Sequence, residues 1–369
     1  MAPRVVVAGG HSAGHIEPAM NFADALRRLD PTAEITALGT VRGLDTTLIP
    51  ARGYPLELIP PVPLPRTLNR ALLQTSGRLR DSVRAAGAVL DRVRAEIVVG
   101  FGGYVAAPAY LAARRRGLPI VVHEANTRPG VANRLAARMT THVFTASPSV
   151  RLAHATAIGI PLRPAITGLS RPALRYAARQ RFGLRPDGPV LVVTGGSQGA
   201  GTINAAVSGA APALRRAGVQ VLHITGPRHA VAVPDGHPAD PPYIVVPYVE
   251  EMQYAYAAAD FAVCRSGAMT CAELAAAGLP AAYVPLPLRG GEQRLNAEPA
   301  VAAGGALLVD NAGLDPAWIE TTLIPVLTDP GRIAAMSARA SAAGTPDADI
   351  VLARHVLTAV AAARRAAAP

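Results

Sequence analysis

At 369 residues the chain exceeds what one hydrophobic core usually organises, so two domains are expected; half of it is hydrophobic, 17% charged and only 4% aromatic, which describes cores built from small aliphatic side chains. Its net charge is +11 and its strong bases are all arginine, with no lysine anywhere, which excludes a Walker phosphate loop and a pyridoxal Schiff base. The basic balance favours phosphorylated ligands or an anionic membrane face, beside the plainer reading of compositional arginine bias, and no basic run is interleaved with aromatics as nucleic-acid binding would require.

Short apolar runs alternate with helical patterns from end to end. Arg4–Ala8, Ile35–Leu38, Ile97–Gly100, Ile120–Val122 and His142–Thr145 are expected strands of the first half. Val190–Val193, Val221–Ile224, Ile244–Val246, Phe261–Cys264 and Ala282–Val284 repeat the rhythm in the second. Continuous apolar strands separated by helices indicate parallel sheets covered on both faces, and two such sets indicate two doubly wound α/β domains. The prolines of Ile160-Pro161-Leu162-Arg163-Pro164 set the expected boundary, with one domain over 1–162 and the other over 163–345. The last helix, Asp347 to Arg365 within 346–369, is a candidate to fold back on the first domain.

The proline-dense Ile59–Arg66 reads as a stiff extended loop, followed by a long helix from Asn69 to Arg94. That helix carries Arg70, Arg78, Arg80 and Arg84 beside Leu72, Leu73 and Leu79, a pattern suited to an anionic membrane surface or to an ordinary solvated face. Two uncharged stretches, Ile97 to Ala113 and Gly188 to Leu214, are broken by glycine and proline and read as strand, loop and helix, not as membrane spans. Two cysteines without a CxxC and a first strand beginning at Arg4 point to a reducing cytosol with no signal peptide.

Glycine loops between strand and helix carry the chemical argument. Gly9-Gly10-His11-Ser12-Ala13-Gly14-His15 precedes a helix with Pro18 expected near its first turn, and backbone N–H groups at such a helix start attract anions. It is not the dinucleotide fingerprint, since Ser12 replaces the second glycine and no acid closes the second strand at Leu38-Gly39-Thr40. His15 is the candidate general base; the four-residue spacing to His11 resembles a metal pair but lacks the glutamate of that motif, and no metal or cofactor is expected.

Further loops are Gly100-Phe101-Gly102-Gly103-Tyr104 and Thr194-Gly195-Gly196-Ser197-Gln198-Gly199-Ala200, the latter placing Ser197 to donate to a phosphoryl oxygen. In Arg265–Glu273, the Thr270-x-x-Glu273 spacing fits a capping box, while the competing reading puts a helix N-terminus on a diphosphate and Glu273 on ribose hydroxyls. Leu286 to Asn296 brings Glu292 and Gln293 together, polar groups that suit a sugar.

Taken together, Gly9-Gly-x-x-Ala-Gly-His15-Ile-x-Pro18, Gly100-Phe-Gly-Gly-Tyr104, His123-Glu-Ala-Asn126, Gly195-Gly-Ser-Gln-Gly-Ala200, Arg265-Ser-Gly-Ala-Met-Thr270 and Gly291-Glu-Gln-Arg-Leu-Asn296 resemble the MurG family, in order and over nearly the whole chain. The resemblance, closest to its actinobacterial branch, implies a GT-B fold: two Rossmann-like domains with an interdomain cleft. It implies transfer of N-acetylglucosamine from its uridine diphosphate donor to the lipid-linked muramyl-pentapeptide acceptor (lipid I), giving lipid II with inversion. It also implies peripheral attachment at the cytoplasmic membrane face and a role in cell-wall growth and division.

By the same match Ser197 and Gln198 belong to the donor-phosphate loop, Arg163 meets the nucleotide and Val249 the uracil through its backbone. Ala268, Met269, Thr270 and Glu273 serve diphosphate, sugar and ribose, while Glu292 and Gln293 serve sugar hydroxyls. Ser12, Ala13, Gly14 and Asn126 complete the sugar site from the first domain, whose glycine loops, Gly103 and Tyr104 among them, serve the acceptor's pyrophosphate, with His15, or alternatively Glu124, as the base. His11-Ser12 departs from the family's usual glycine-threonine, and Arg289-Gly290 from its small polar residues. These departures keep open a paralogue with another acceptor, such as a glycolipid antibiotic; a UDP-N-acetylglucosamine 2-epimerase and a non-catalytic scaffold are the remaining alternatives.

Overall fold

The computed structural model describes residues 2–62, 71–287 and 291–367. Pro63 to Arg70, with the side chains of Leu72 and Leu73, and Leu288 to Gly290 lie outside the described residues, and so do Arg70 and Arg289 of the sequence motifs. Tertiary contacts divide the chain into two compact units, 1–162 with 346–369, and 163–345.

The first unit holds β1 (Arg4–Gly9), β2 (Glu34–Gly39), β3 (Leu56–Leu58), β4 (Ile97–Gly102), β5 (Ile120–Glu124), β6 (Val143–Thr145) and β7 (Ala155–Ala157) in one sheet of order β3-β2-β1-β4-β5-β6-β7. All its pairs are parallel. The alternation of β1 assigns its two faces: Val5 and Val7 enter one core, Val6 and Ala8 the other. One core is covered by the helices Ala13–Leu29 and Ala348–Ala367, the other by Ala71–Arg92 and Ala106–Arg115.

The chain's last helix is part of that first core. Leu352, Val356 and Val360 are at most 2% exposed, and burying each contributes about 1.5–3 kcal/mol. Arg28 meets Asp349 at 2.6 Å and the Arg364 guanidinium meets Glu96 at 2.7 Å. A third tie is His355 Nε2 on His142 Nδ1 at 3.0 Å.

The second unit holds β8 (Val190–Thr194), β9 (Gln220–Ile224), β10 (Tyr243–Val246), β11 (Phe261–Cys264), β12 (Ala281–Tyr283) and β13 (Ala306–Leu308), a parallel sheet of order β10-β9-β8-β11-β12-β13. Leu191, Val193, Phe261 and Val263 centre its core. In both sheets the strand order reverses once, between β1 and β4 and between β8 and β11. Ligands of open α/β sheets bind beyond the carboxyl ends of the strands at such a reversal, and the glycine loops after β1, β4, β8 and β11 all lie there.

Several expectations change. The strands β3, β7 and β13 were not anticipated; each has three residues, too few to show a period, and β7 is fully exposed. The first helix begins at Ala13, so Pro18 lies inside it and withholds a backbone donor from the Gly14 carbonyl. In the Ala71–Arg92 helix Arg78, Arg80 and Arg84 are exposed, but Val83, Ala86, Val89 and Leu90 are packed into the core. Among the described residues no helix is long and apolar enough to cross a membrane.

Candidate active site

The loop after β1 is shaped by one buried carboxylate. Asp45 Oδ1 accepts the His11 N–H at 2.5 Å, and Oδ2 accepts the Thr40 N–H at 2.7 Å and the Thr40 hydroxyl at 3.2 Å. His11 is thereby held at φ 76, a left-handed conformation that glycine adopts freely and other residues adopt at a cost. Its ring leans on Tyr104, with centroids 4.7 Å apart. The expected family glycine at this position thus has a conformational reason.

Ser12 is the N-cap of the Ala13–Leu29 helix, yet its hydroxyl does not cap the backbone; it bonds His15 Nδ1 at 3.0 Å. The first turn carries no acidic residue and Ser12 makes no side-chain cap bond, which leaves this helix start without a side-chain acceptor for its first N–H groups. The other edge of the His15 ring lies on Gly102, where a Cβ would approach Nε2 to 3.2 Å. A Cβ on Gly103 would stand 2.4 Å from the Gly10 carbonyl, so the Gly102-Gly103 pair is what allows the loops after β1 and β4 to touch. Burial lowers the His15 pKa below 6.5, the nearby His11 lowers it further, and Asp45 opposes them. His15 is therefore neutral at physiological pH.

Glu124, 2% exposed at the end of β5, is committed to its own loop. It accepts N–H bonds from Asn126 and Gly130 at 2.9 Å each and from the Asn133 amide at 3.0 Å. Tyr110 donates to the Asn133 oxygen at 2.8 Å from beneath, in space that a Cβ on Gly100 would occupy. Proton transfer to Glu124 would compete with the bonds that shape the Asn126–Gly130 loop, which makes it an anchor and a poor base.

In the second unit the loop after β8 is shaped mainly by its glycine backbone, with the Thr194 hydroxyl accepting the Gly196 N–H at 3.1 Å. Gly196 and Gly199 stand at φ 81 and φ 75, and the Gly199 N–H donates to the Gly196 carbonyl at 2.9 Å. Ser197 and Gln198 are exposed at its tip, with Gln198 accepting from Arg228, ahead of the Gly201–Gly209 helix.

After β11, the helix Ala268–Ala277 begins at Gly267, which is its N-cap. This overturns the capping-box reading: Thr270 lies within the helix, and Glu273 Oε2 instead accepts from the Tyr256 hydroxyl at 2.7 Å. Ala268, Met269, Thr270 and Glu273 are each half-buried in its first turns. Arg163, itself exposed, caps the short helix Pro164–Thr167 that packs against this one. Glu292 and Gln293 open the helix Glu292–Ala302, where the Gln293 oxygen accepts the Leu286 N–H at 2.9 Å. Val249 follows β10, itself half-buried in an otherwise exposed connection.

The structure therefore gathers Ser12, Ala13, Gly14, His15, Gly103 and Tyr104 at one sheet reversal, with Glu124 and Asn126 in the adjoining loop. Ser197, Gln198, Ala268, Met269, Thr270 and Glu273 flank the other reversal. Sequence reasoning missed Asp45, Asn133 and Tyr256, each of which bonds a residue of these motifs from a different element. Among the described residues no group of three or more histidine, cysteine, aspartate or glutamate side chains is placed to hold a metal ion.

Comparison with known proteins gives the same architecture a sequence relation. Residues 5–145 match the glycosyltransferase family 28 N-terminal domain and residues 190–351 the glycosyltransferase family 28 C-terminal domain. The chain is 56% identical over 361 residues to the UDP-N-acetylglucosamine--N-acetylmuramyl-(pentapeptide) pyrophosphoryl-undecaprenol N-acetylglucosamine transferase of Streptomyces avermitilis, covering 98% of this chain and 99% of that one. To the protein of the same name from Thermobifida fusca it is 57% identical over 354 residues, 96% and 93% of the two chains. The crystal structure of Acinetobacter baumannii MurG superposes with a TM-score of 0.77 at 24% identity, covering 97% of this chain and all of that one, a likeness of fold.

Proposed function

The chain belongs to glycosyltransferase family 28, and from that premise we propose that it transfers N-acetylglucosamine from UDP-N-acetylglucosamine to the lipid-linked muramyl-pentapeptide acceptor, lipid I, forming lipid II of peptidoglycan synthesis. The observation that carries this reading is the identity of more than half the residues, over nearly full length, to transferases so named. Fold alone would not separate it from other nucleotide-sugar enzymes.

The geometry supports a mechanism of inversion. In this mechanism the His15 tautomer that donates Nδ1–H to Ser12 Oγ, 3.0 Å away, leaves on Nε2 the lone pair that accepts the proton of the acceptor's C4 hydroxyl. That oxygen attacks the anomeric carbon from the face opposite the diphosphate, the sugar–phosphate bond breaks, and UDP leaves with its new charge on the β-phosphate. The N-terminus of the Ala268–Ala277 helix and the Ser197–Gln198 loop receive that charge through N–H and hydroxyl donors. Glu273 takes the ribose, Arg163 and the Val249 backbone the uridine, and Glu292 with Gln293 the sugar hydroxyls. The uncapped turn at Ala13 and Gly14, with Gly103, Tyr104 and Asn126, receives the acceptor.

The acceptor's lipid places the protein peripherally at the cytoplasmic membrane face. Since the apolar side of the Ala71–Arg92 helix is already packed inward over Val83 to Leu90, its contact with anionic lipid runs through Arg78, Arg80 and Arg84.

Purified protein given labelled UDP-N-acetylglucosamine and lipid I in detergent should form the disaccharide lipid. Donor binding without that product overturns the assigned acceptor, and turnover of donor alone to its 2-epimer makes the protein an isomerase.

A further inference from the structure

The carboxylate of Glu273 is held by a residue from another helix. Tyr256, in Met252–Ala258, is 2% exposed and places its hydroxyl 2.7 Å from Glu273 Oε2. The two helices are braced by a third element. Arg171 donates to the carbonyls of Tyr256 at 3.3 Å and Ala259 at 2.6 Å, and also to the carbonyl of Gly278, which ends the glutamate's helix, at 2.7 Å. Tyrosine and glutamate are thus fixed to one frame. Burial and the adjacent Glu273 charge push the Tyr256 phenol well above its ordinary pKa, so it remains a donor across the working range.

A half-buried glutamate has three side-chain torsions with which to swing toward water, and the terminal one is soft. A buried phenol on one oxygen removes that freedom. We infer that Tyr256 is a positioning residue for donor binding, its hydroxyl fixing one oxygen of Glu273 so that the carboxylate is presented to the hydroxyls of the nucleotide's ribose. The inference rests on the assignment of Glu273 to the ribose made above. Tyr256 acts through Glu273 and touches no reacting atom.

Calorimetric titration with UDP and with 2′,3′-dideoxy-UDP, on the wild type, Tyr256→Phe and Glu273→Ala, separates the possibilities. Phenylalanine keeps the buried ring and removes only the donor. Tyr256→Phe should weaken UDP about tenfold, the worth of one hydrogen bond to a charged group, and leave dideoxy-UDP within about twofold. KM for the sugar donor should rise in proportion while kcat stays within about threefold. Equal weakening of both ligands, or of neither, overturns the inference, because a merely structural tyrosine cannot sense the ribose hydroxyls. Selective weakening of UDP by Glu273→Ala alone leaves the Glu273 assignment standing and removes Tyr256 from it. If Glu273→Ala does not distinguish the two ligands, the assignment itself falls.

Discussion

The loops after β1 and β8 occupy corresponding places at the reversal of two parallel sheets, yet they are held in different ways. The first is a side-chain construction: Asp45 fixes the His11 backbone, Ser12 engages His15, and His11 rests on Tyr104. The second is chiefly a backbone construction in which glycines fold the chain on itself, with one side-chain bond inside the turn, from the Gly196 N–H to the Thr194 hydroxyl. His11 and Gly199 make the contrast sharp, because their φ angles are 76 and 75. At His11 the side chain points outward to a ring; at Gly199 a Cβ would stand 2.2 Å from the Thr225 carbonyl. A left-handed angle alone does not require glycine; the space beside it does. On the proposed mechanism the titratable loop moves a proton and the glycine loop holds an anion.

The largest test of that division is His15→Ala. A general base contributes about 10²–10⁴-fold, so disaccharide-lipid formation should lose about three orders of magnitude in kcat with donor KM within about threefold. A loss smaller than tenfold would return the proton-transfer role to another group and erase the contrast between the loops.

Next in size is Gly199→Ala. Left-handed alanine costs about 1–2 kcal/mol, and relieving the contact with Thr225 adds about 1–3 kcal/mol. Denaturant unfolding should show a loss of about 2–5 kcal/mol, accompanied by weaker UDP binding. An unchanged midpoint would mean that the loop relaxes freely and is not a rigid backbone cradle.

The parts of this design that were legible in sequence are those that are local. The valine runs of β1, β4 and β8, each followed by glycines and a helix, announce two parallel sheets, because a strand buried on both faces has no polar alternation. The glycine motifs announce where those strands end. What supports the motifs was hidden by distance: Asp45 lies 34 residues from His11, and Tyr256 lies 17 from Glu273. A lone acid or a lone tyrosine has no spacing to betray its partner. Local pattern also misled, at Pro18, which lies inside a helix that begins at Ala13, and at Thr270 and Glu273, where a capping-box spacing falls inside a helix capped by Gly267. The three-residue edge strands were illegible for want of length.

The smallest and most selective test is His11→Gly, which gives the first loop the conformational freedom of the second while keeping the backbone bond to Asp45. Stability should change by about 1 kcal/mol or less, since relief of left-handed strain is offset by the lost ring contact and the greater freedom of unfolded glycine. The effect to read is the pH profile. His15 must be neutral to accept a proton, so activity falls as pH drops through its lowered pKa, and His11 is one cause of that lowering. Without His11, burial still lowers the value and Asp45 still raises it, so the pKa moves up toward 6.5 and the acid limb of kcat/KM should shift to higher pH. A limb that stays in place, or moves to lower pH, would show that His11 does not tune the base and that its imidazole serves only the packing against Tyr104.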